Sequence, residues 1–284
     1  MGMKSEEEAV ALQAIEFWTS VAEEETNLES DYLDAQDVRH EEFVCPEPGL
    51  MNTTFQGLLD GDVEVPKYFA KIALPEVIPV LLQLLTRQDE DAEEGEWNVS
   101  MAAGTCLAFL AQAVHDPIVP AIIPFIEANI KQENWHQREA AVMAFGSILV
   151  GPDPAVLTPL VNQALPILIN MMSDPQSQVK DTTAWTLGRI CESLITSIKP
   201  DVHLHALVSA LVAGLQDSPH IIANCCWALM NLADGLYELY DSSDEQGTGP
   251  LSPYFEGIVG ALLQVTETYV TESCFSPPEN FHPC

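Results

Sequence analysis

Four stretches of the chain decide its fold: WNVSMAAGTCLAFLA (97–111), WHQREAAVMAFGSIL (135–149), SQVKDTTAWTLGRIC (177–191) and HIIANCCWALMNLAD (220–234). Each has small and aliphatic residues at three- and four-residue spacing, which is typical of an amphipathic helix. Trp97 corresponds to Trp135 in the first two stretches, and Met143, Trp185 and Trp227 recur at a spacing of 42 residues. A unit of about 40 residues therefore repeats along the chain.

The segments between these stretches supply a second helix to each unit, because Leu, Ile and Val recur in them at helical spacing. These segments are Pro66–Gln88, Pro117–Lys131, Pro154–Ser173 and His203–Gln216. Asp174-Pro175 and Asp217-Ser218-Pro219 lie at the corners, where Asp can cap a helix and Pro is tolerated in its first turn. Two helices in about 40 residues are typical of HEAT and armadillo repeats. The sequence predicts an all-α fold, a HEAT-repeat α-α superhelix of the armadillo-type solenoid class.

The same pattern predicts how the chain is divided. We expect residues 1–25 to form a helix of an incomplete N-terminal HEAT repeat and residues 246–272 to form the first helix of an incomplete last repeat. Between them we expect four HEAT repeats, the first of which has an acidic loop at 88–97: 66–116, 117–152, 153–200 and 201–245. Residues 26–65 have little periodicity and several Gly and Pro, which predicts a loop or disordered insertion. Residues 273–284 are expected to be an irregular tail. Neither end resembles the polar cap of a solenoid, so we expect either a piece of a longer chain or an aberrant translation product.

The charge balance restricts the possible partners. The chain has 43 acidic residues against 10 Lys and Arg, a formal net charge of −33. Nucleic acid and anionic membrane surfaces would be repelled. Apolar stretches such as Ala206–Leu215 are also shorter than the roughly 20 residues that span a bilayer. The composition favours basic proteins or peptides as partners, although acidity can also serve solubility alone.

The sequence contains no motif of a catalytic, metal or cofactor site. The seven cysteines form no C-x-x-C pair, and no two histidines have ligand spacing. We interpret Cys106, Cys191, Cys225 and Cys226 as reduced thiols in or near the core. A phosphate-binding loop, H-E-x-x-H and G-x-S-x-G are all missing from the sequence. The sequence therefore predicts no enzyme, no cofactor and no metal, and a helical hydrolase or metal enzyme is the least favoured class.

An acidic run stands directly before Trp97 and carries six carboxylates: Asp89, Glu90, Asp91, Glu93, Glu94 and Glu96. Carboxylates this close together repel each other and stay solvated, so we expect an exposed loop. Both a loop without a partner and a loop that binds one fit this composition. A calcium site is disfavoured because the spacing departs from that of the EF-hand loop and Gly95 comes too late.

A helical wheel of 179–194 separates two faces. One face is a core stripe of Val179, Thr183, Thr186, Leu187 and Ile190, and the other carries Asp181, Trp185, Gly188 and Glu192. The next repeat has Trp227, Asn231 and Asp234 in corresponding places. A Trp ring flanked by carboxylates suits the stem and charged head of a Lys or Arg.

Packing of both Trp side chains between neighbouring helices fits the same pattern equally well. Trp18, Trp97 and Trp135 do not share this angle, and we expect them to be packing residues.

Several segments carry a resemblance to a known family. DPQSQVKDTTAWTLGRI (174–190) matches the general HEAT pattern of Asp-Pro, Val with a basic residue, small residues and Leu-Gly. Four segments resemble successive parts of the middle of the importin-β (karyopherin-β) family, its fungal members most of all: ALQAIEFWTSVAEEE (11–25), LLTRQDEDAEEGEWNVSMAAGTCLAFLA (84–111), NWHQREAAVMAFGSIL (134–149) and TAWTLGRICESL (183–194). The resemblance covers roughly 6–25 and 66–270.

The resemblance implies a nuclear import receptor of the cytoplasm and nucleus, including the nuclear pore. In that family, inner helices bind cargo, the basic segment of importin-α, or Ran GTPase, each excluding the others. Outer helices bind Phe-Gly nucleoporins, and the main pockets for these would lie outside this chain. The alternative is a HEAT-repeat adaptor without a transport role, such as a phosphatase or condensin-type scaffold.

The resemblance also implies roles for particular residues. The acidic loop would contact Ran and discriminate between ligands. The TAWT and CCWA motifs would hold the basic helix of importin-α through Trp185 and Trp227, with Asp181, Glu192, Asn231 and Asp234 beside them.

Overall fold

The computed structural model describes residues 2–42, 66–88, 97–241 and 248–275. In these ranges the chain forms ten α-helices and no strand. The helices are α1 (Glu8–Glu42), α2 (Phe69–Leu85), α3 (Val99–Val114), α4 (Val119–Asn129), α5 (Trp135–Ser147), α6 (Pro154–Met171), α7 (Ser177–Ser193), α8 (His205–Gly214), α9 (Pro219–Asp241) and α10 (Phe255–Phe275). The predicted all-α HEAT-repeat fold is confirmed.

The helices belong to two compact units. The first unit is Met1–Phe125 with Val150–Asp153, and the second unit is Ile126–Leu149 with Pro154–Cys284. In the first unit α3 packs against both α1 and α2. Its core is formed by aliphatic side chains of these three helices, including Ile15, Leu81 and Leu107.

Helix α1 is longer than the sequence predicts. The expected helix ends at Glu25, but α1 continues to Glu42, so the predicted loop at 26–65 is wrong for its first 17 residues. All the Gly and Pro residues that suggested a loop come after Glu42: Pro46, Pro48, Gly49, Gly57 and Gly61. The stretch before them contains no helix breaker, and the helix continues through it. Residues 43–65 lie outside the described part of the chain.

The start of α2 is capped by a side chain from α1. Tyr68 precedes α2 in a left-handed conformation, and its side chain makes no capping hydrogen bond. The carboxylate of Glu25 instead accepts hydrogen bonds from the backbone N–H groups of Phe69 and Ala70, the latter at 2.9 Å. Glu25 is buried, so this carboxylate replaces water for two of the helix's unpaired donors.

We expect Glu25→Ala to lower the free energy of unfolding by about 1–2 kcal/mol, the usual cost of losing a cap. The loss arises because two N–H groups at the start of α2 would lose their acceptor. Glu23→Ala removes the same charge from an exposed site on the same helix and serves as the control. Urea denaturation measures both variants, and equal losses would contradict the capping role.

In the second unit, three helices pack side by side. Helix α7 lies between α5 and α9, while α6 packs against α7 and α8, and α8 packs against α9. The core stripe predicted for α7 is confirmed, because all five of its residues are completely buried: Val179, Thr183, Thr186, Leu187 and Ile190. Thr183 is accommodated there because its hydroxyl donates to the carbonyl of Val179 at 2.6 Å.

Two ion pairs recur at the corners of the second unit. The guanidinium of Arg138 in α5 donates to both carboxylate oxygens of Asp174, at 2.8 and 2.9 Å. One repeat later, Lys180 in α7 forms an ion pair with one carboxylate oxygen of Asp217. Asp174 also accepts from the N–H of Gln176 at 2.9 Å, as expected of an Asp beside a helix start. Each corner aspartate therefore accepts a backbone hydrogen bond within its own turn and forms an ion pair with a basic side chain of the preceding repeat.

Helix α6 is longer than expected for the apolar stretches of this chain, which were predicted to be too short to span a bilayer. Its 18 residues have a mean hydropathy of 1.2, and among the described helices it is the one long and apolar enough to cross a membrane. It contains Pro159 and Pro166, and it buries a stripe that includes Leu157 and Leu165 against its neighbours. These are the features of a helix that packs on one side within a repeat.

The four cysteines placed in helices are free thiols, as predicted. Cys106, Cys191 and Cys225 are buried, and Cys226 is half-buried. Burial raises the pKa of Cys106 to about 11 and the pKa of Cys191 to about 12. These thiols stay protonated at neutral pH and therefore behave as small apolar core groups.

Candidate binding surface on the second unit

Trp185 and Trp227 stand at corresponding places on the adjacent helices α7 and α9. We call this pair the tryptophan ladder. Both side chains are half-buried, so each ring uses part of its surface for packing and leaves part to solvent. A half-exposed Trp can contribute apolar area and an aromatic face to a ligand.

Each ladder tryptophan lies against a glycine of the preceding repeat. Trp185 covers Gly146 of α5, where an added Cβ would collide with the ring and lie 2.6 Å from the Thr186 hydroxyl oxygen. Trp227 covers Gly188 of α7 in the same manner. The helical wheel places Gly188 opposite the core stripe of α7, and Gly188 is nevertheless buried because Trp227 covers it. The rings do pack between neighbouring helices, and they also retain an exposed part.

The ring of Trp185 already carries a cation from its own chain. The guanidinium carbon of Arg189, one turn further along α7, lies 5.6 Å from the centre of the Trp185 ring. Burial lowers the pKa of Arg189 from its ordinary value, and the nearby charge of Glu192 acts in the opposite direction. A cation at this distance is within the range of a cation–π interaction.

The polar residues predicted beside the ladder differ in their surroundings. Asp181 is half-buried and accepts a hydrogen bond of 2.8 Å from the Asn224 side-chain amide, which joins α7 to α9. Glu192 and Asp234 are exposed. The side-chain nitrogen of Asn231 is buried and has no hydrogen-bond partner among the described residues. The six predicted residues thus lie on two neighbouring helices, and only some of them are open to a partner.

The other tryptophans have different environments. Trp18 is half-buried in α1, and Trp135 stacks on His136 with ring centres 3.8 Å apart. Trp97 is 56% exposed, so the packing role predicted for it is not seen in the described structure. The acidic residues 89–96 that precede it lie outside the described part of the chain. Among the residues that the structure describes, no cluster of three or more His, Cys, Asp or Glu side chains could hold a metal ion.

Comparison with known proteins gives the family. The importin subunit beta-1-like TPR-repeat family matches residues 206–275, and a HEAT-like repeat family matches residues 135–190. Importin subunit beta-1 of Schizosaccharomyces pombe is 49% identical over 266 residues, which cover 94% of this chain and 28% of the relative. A crystal structure of importin beta is 42% identical with a TM-score of 0.79, covering 94% of this chain and 28% of that one.

The chain belongs to the importin-β family. It spans 28% of the length of the S. pombe relative. The 49% identity to this fungal relative agrees with the predicted resemblance to fungal importin-β. Importin subunit beta-1 of Saccharomyces cerevisiae is 40% identical over 92% of the chain. Two further structures of related chains contain partners. One shows Kap95p with RanGDP at 39% identity and a TM-score of 0.71, and the other is a Kap95:Nup1 complex at 38% identity and 0.73.

Within this importin-β chain, sequence reasoning missed the role of three residues that contact the tryptophan ladder. Gly146 and Gly188 are the seats of the two rings, and Arg189 is the cation above one of them. The signal for the glycines was present, because they repeat at the same 42-residue spacing as Trp185 and Trp227. Arg189 gives no such signal, since Asn231 takes its place in the next repeat.

Proposed function

We propose that the chain is the binding scaffold of a nuclear import receptor and not an enzyme. It holds a basic helical segment of importin-α or of cargo along the tryptophan ladder. The observation that carries this proposal is the recurrence of Trp185 and Trp227 on adjacent helices, each ring seated on a glycine. A formal net charge of −33 favours a basic partner, because attraction between opposite charges accelerates and orients binding.

The proposal assigns two further partners. Ran GTPase is contacted through the acidic residues 89–96. The Kap95p structure with RanGDP supports Ran as a partner. Phe-Gly nucleoporins bind the receptor mainly through pockets outside this chain, and the Kap95:Nup1 complex supports that class of partner. A receptor with these partners passes between cytoplasm and nucleus through the nuclear pore.

The direct test is a calorimetric titration of the full 284-residue chain with an acetylated and amidated Lys/Arg-rich helical peptide. We expect Trp185→Leu and Trp227→Leu each to weaken binding about tenfold or more, as truncation of a buried aromatic anchor does. Leucine retains apolar contact with the glycine seat and limits the loss of stability. Raising the salt concentration should weaken binding strongly, because ions screen the charge pairs.

Trp97→Leu is the matched control, because Trp97 is exposed and belongs to the first unit. It should bind the peptide like the unmodified chain. Equal binding by all three variants would contradict the ladder, and failure of the unmodified chain to bind the peptide would contradict the proposed function itself.

A further inference from the structure

The two ladder positions differ in what stands one turn after each tryptophan. Arg189 follows Trp185, and Asn231 follows Trp227, at the same 42-residue spacing. The guanidinium of Arg189 lies over the Trp185 ring at 5.6 Å, and no cation among the described residues lies over Trp227. The place that a partner's Lys or Arg would take on Trp185 is therefore occupied by the chain itself, whereas the corresponding place on Trp227 is open.

Arg189 is held on this ring at a cost. Its Nε atom is buried and has no hydrogen-bond partner among the described residues. A buried donor without an acceptor loses its hydration without replacement, and that penalty is comparable to the gain from a cation–π contact. The lowered pKa of Arg189 has the same origin, since burial disfavours the charged form. The stacked position is therefore only weakly favoured.

We propose that Arg189 is a displaceable internal competitor, which occupies the Trp185 ring in the free chain and must leave it when a cationic side chain of the partner binds. This inference rests on the proposed function of the ladder and names a residue that sets its affinity. On leaving the ring, the guanidinium regains water at Nε and stays close to the exposed carboxylate of Glu192. The Trp227 position, with the neutral Asn231 beside it, receives its cation without such an exchange.

The first consequence concerns affinity. Arg189→Gln removes the competitor and should tighten binding of the basic peptide about 2- to 3-fold, because a weakly favoured competitor leaves the ring free for only about a third to a half of the time. Removing any positive charge from the second unit also reduces repulsion of a basic ligand. Lys199→Gln makes the same charge change at an exposed residue outside the ladder and measures that general effect.

The second consequence concerns coupling. If Arg189 acts by covering Trp185, its removal can help only when Trp185 is present. A double-mutant cycle with Trp185→Leu separates this coupling from a general charge effect. In the Trp185→Leu background, Arg189→Gln should therefore change the dissociation constant no more than Lys199→Gln does.

The experiment is a titration of the full chain and its variants with the same Lys/Arg-rich peptide at one fixed salt concentration. Tighter binding by Arg189→Gln than by Lys199→Gln, lost in the Trp185→Leu background, is the expected result. If Arg189→Gln does not keep the helical circular-dichroism signal, Arg189→Ala and its control Lys199→Ala replace the two glutamine variants, because alanine favours a helix and leaves no cation on the ring. Arg189→Ala should then bind the peptide more tightly than Lys199→Ala.

Two results would overturn the inference while leaving the proposed function intact: equal binding by Arg189→Gln and Lys199→Gln, or the same gain with and without Trp185. Failure of every variant to bind the peptide would contradict both the inference and the proposed function.

Discussion

Asp174→Ala is expected to lower the free energy of unfolding of the second unit by about 3 kcal/mol, the usual loss when one partner of a buried ion pair is removed. The side chains of Arg138 and Asp174 are only 14% and 8% exposed. Without Asp174, the guanidinium keeps its hydrogen bonds to the carbonyls of Gln132 and Glu133 but has no opposite charge. The N–H of Gln176 also loses its acceptor.

The control for this prediction is the double variant Arg138→Met/Asp174→Ala. It contains no unpaired buried charge, so it should be more stable than Asp174→Ala alone. Thermal and urea denaturation of four chains provide the comparison: the unmodified chain, Arg138→Met, Asp174→Ala and the double variant. A double variant that loses the sum of the two single losses would show that the pair does not act as a unit.

Gly188→Ala is expected to have the second large effect. It should lower the free energy of unfolding by about 2–3 kcal/mol, because the added methyl group overpacks the site. A methyl group at Gly188 would collide with Cε3 and Cζ3 of Trp227 and force the ring away from α7. The same change should weaken binding of the basic peptide, because Trp227 would no longer hold its place in the ladder.

Gly257→Ala makes the identical substitution in α10, where an added Cβ would meet nothing within 4 Å. Because alanine has a higher helix propensity than glycine, this control should raise the free energy of unfolding by about 0.5–1 kcal/mol. Opposite signs for the two substitutions are the expected outcome. A neutral Gly188→Ala would mean that the Trp227 ring does not depend on the glycine seat.

The repeat was predictable from sequence because its signal is local. Helix-forming periodicity and corner Asp-Pro pairs occur within about 40 residues, and the structure has helices at each of these places. The length of α1 was missed because Pro46 and Gly49 were taken to prevent a helix as far back as residue 26. Helix breakers act on the turn that contains them, so the stretch before them stays helical.

The ladder was only partly predictable, because its character depends on contacts between repeats. The wheel placed Trp185 correctly away from the core stripe of α7. A single-helix wheel has no information about the neighbouring helix, so it places Gly188 opposite the core stripe but does not show that Trp227 covers it. It could not show that the side chain of Arg189 lies on the Trp185 ring, since that depends on a rotamer and on burial.

The most direct test of the ladder as the binding surface is hydroxyl-radical footprinting of the full chain with and without the Lys/Arg-rich peptide, read by mass spectrometry. Trp185 and Trp227 are half-buried and Trp97 is 56% exposed, so all three should oxidise measurably in the free chain. We predict that bound peptide lowers the oxidation of Trp185 and Trp227 and leaves that of Trp97 unchanged. Unchanged oxidation of Trp185 and Trp227 in the saturated complex would contradict the account.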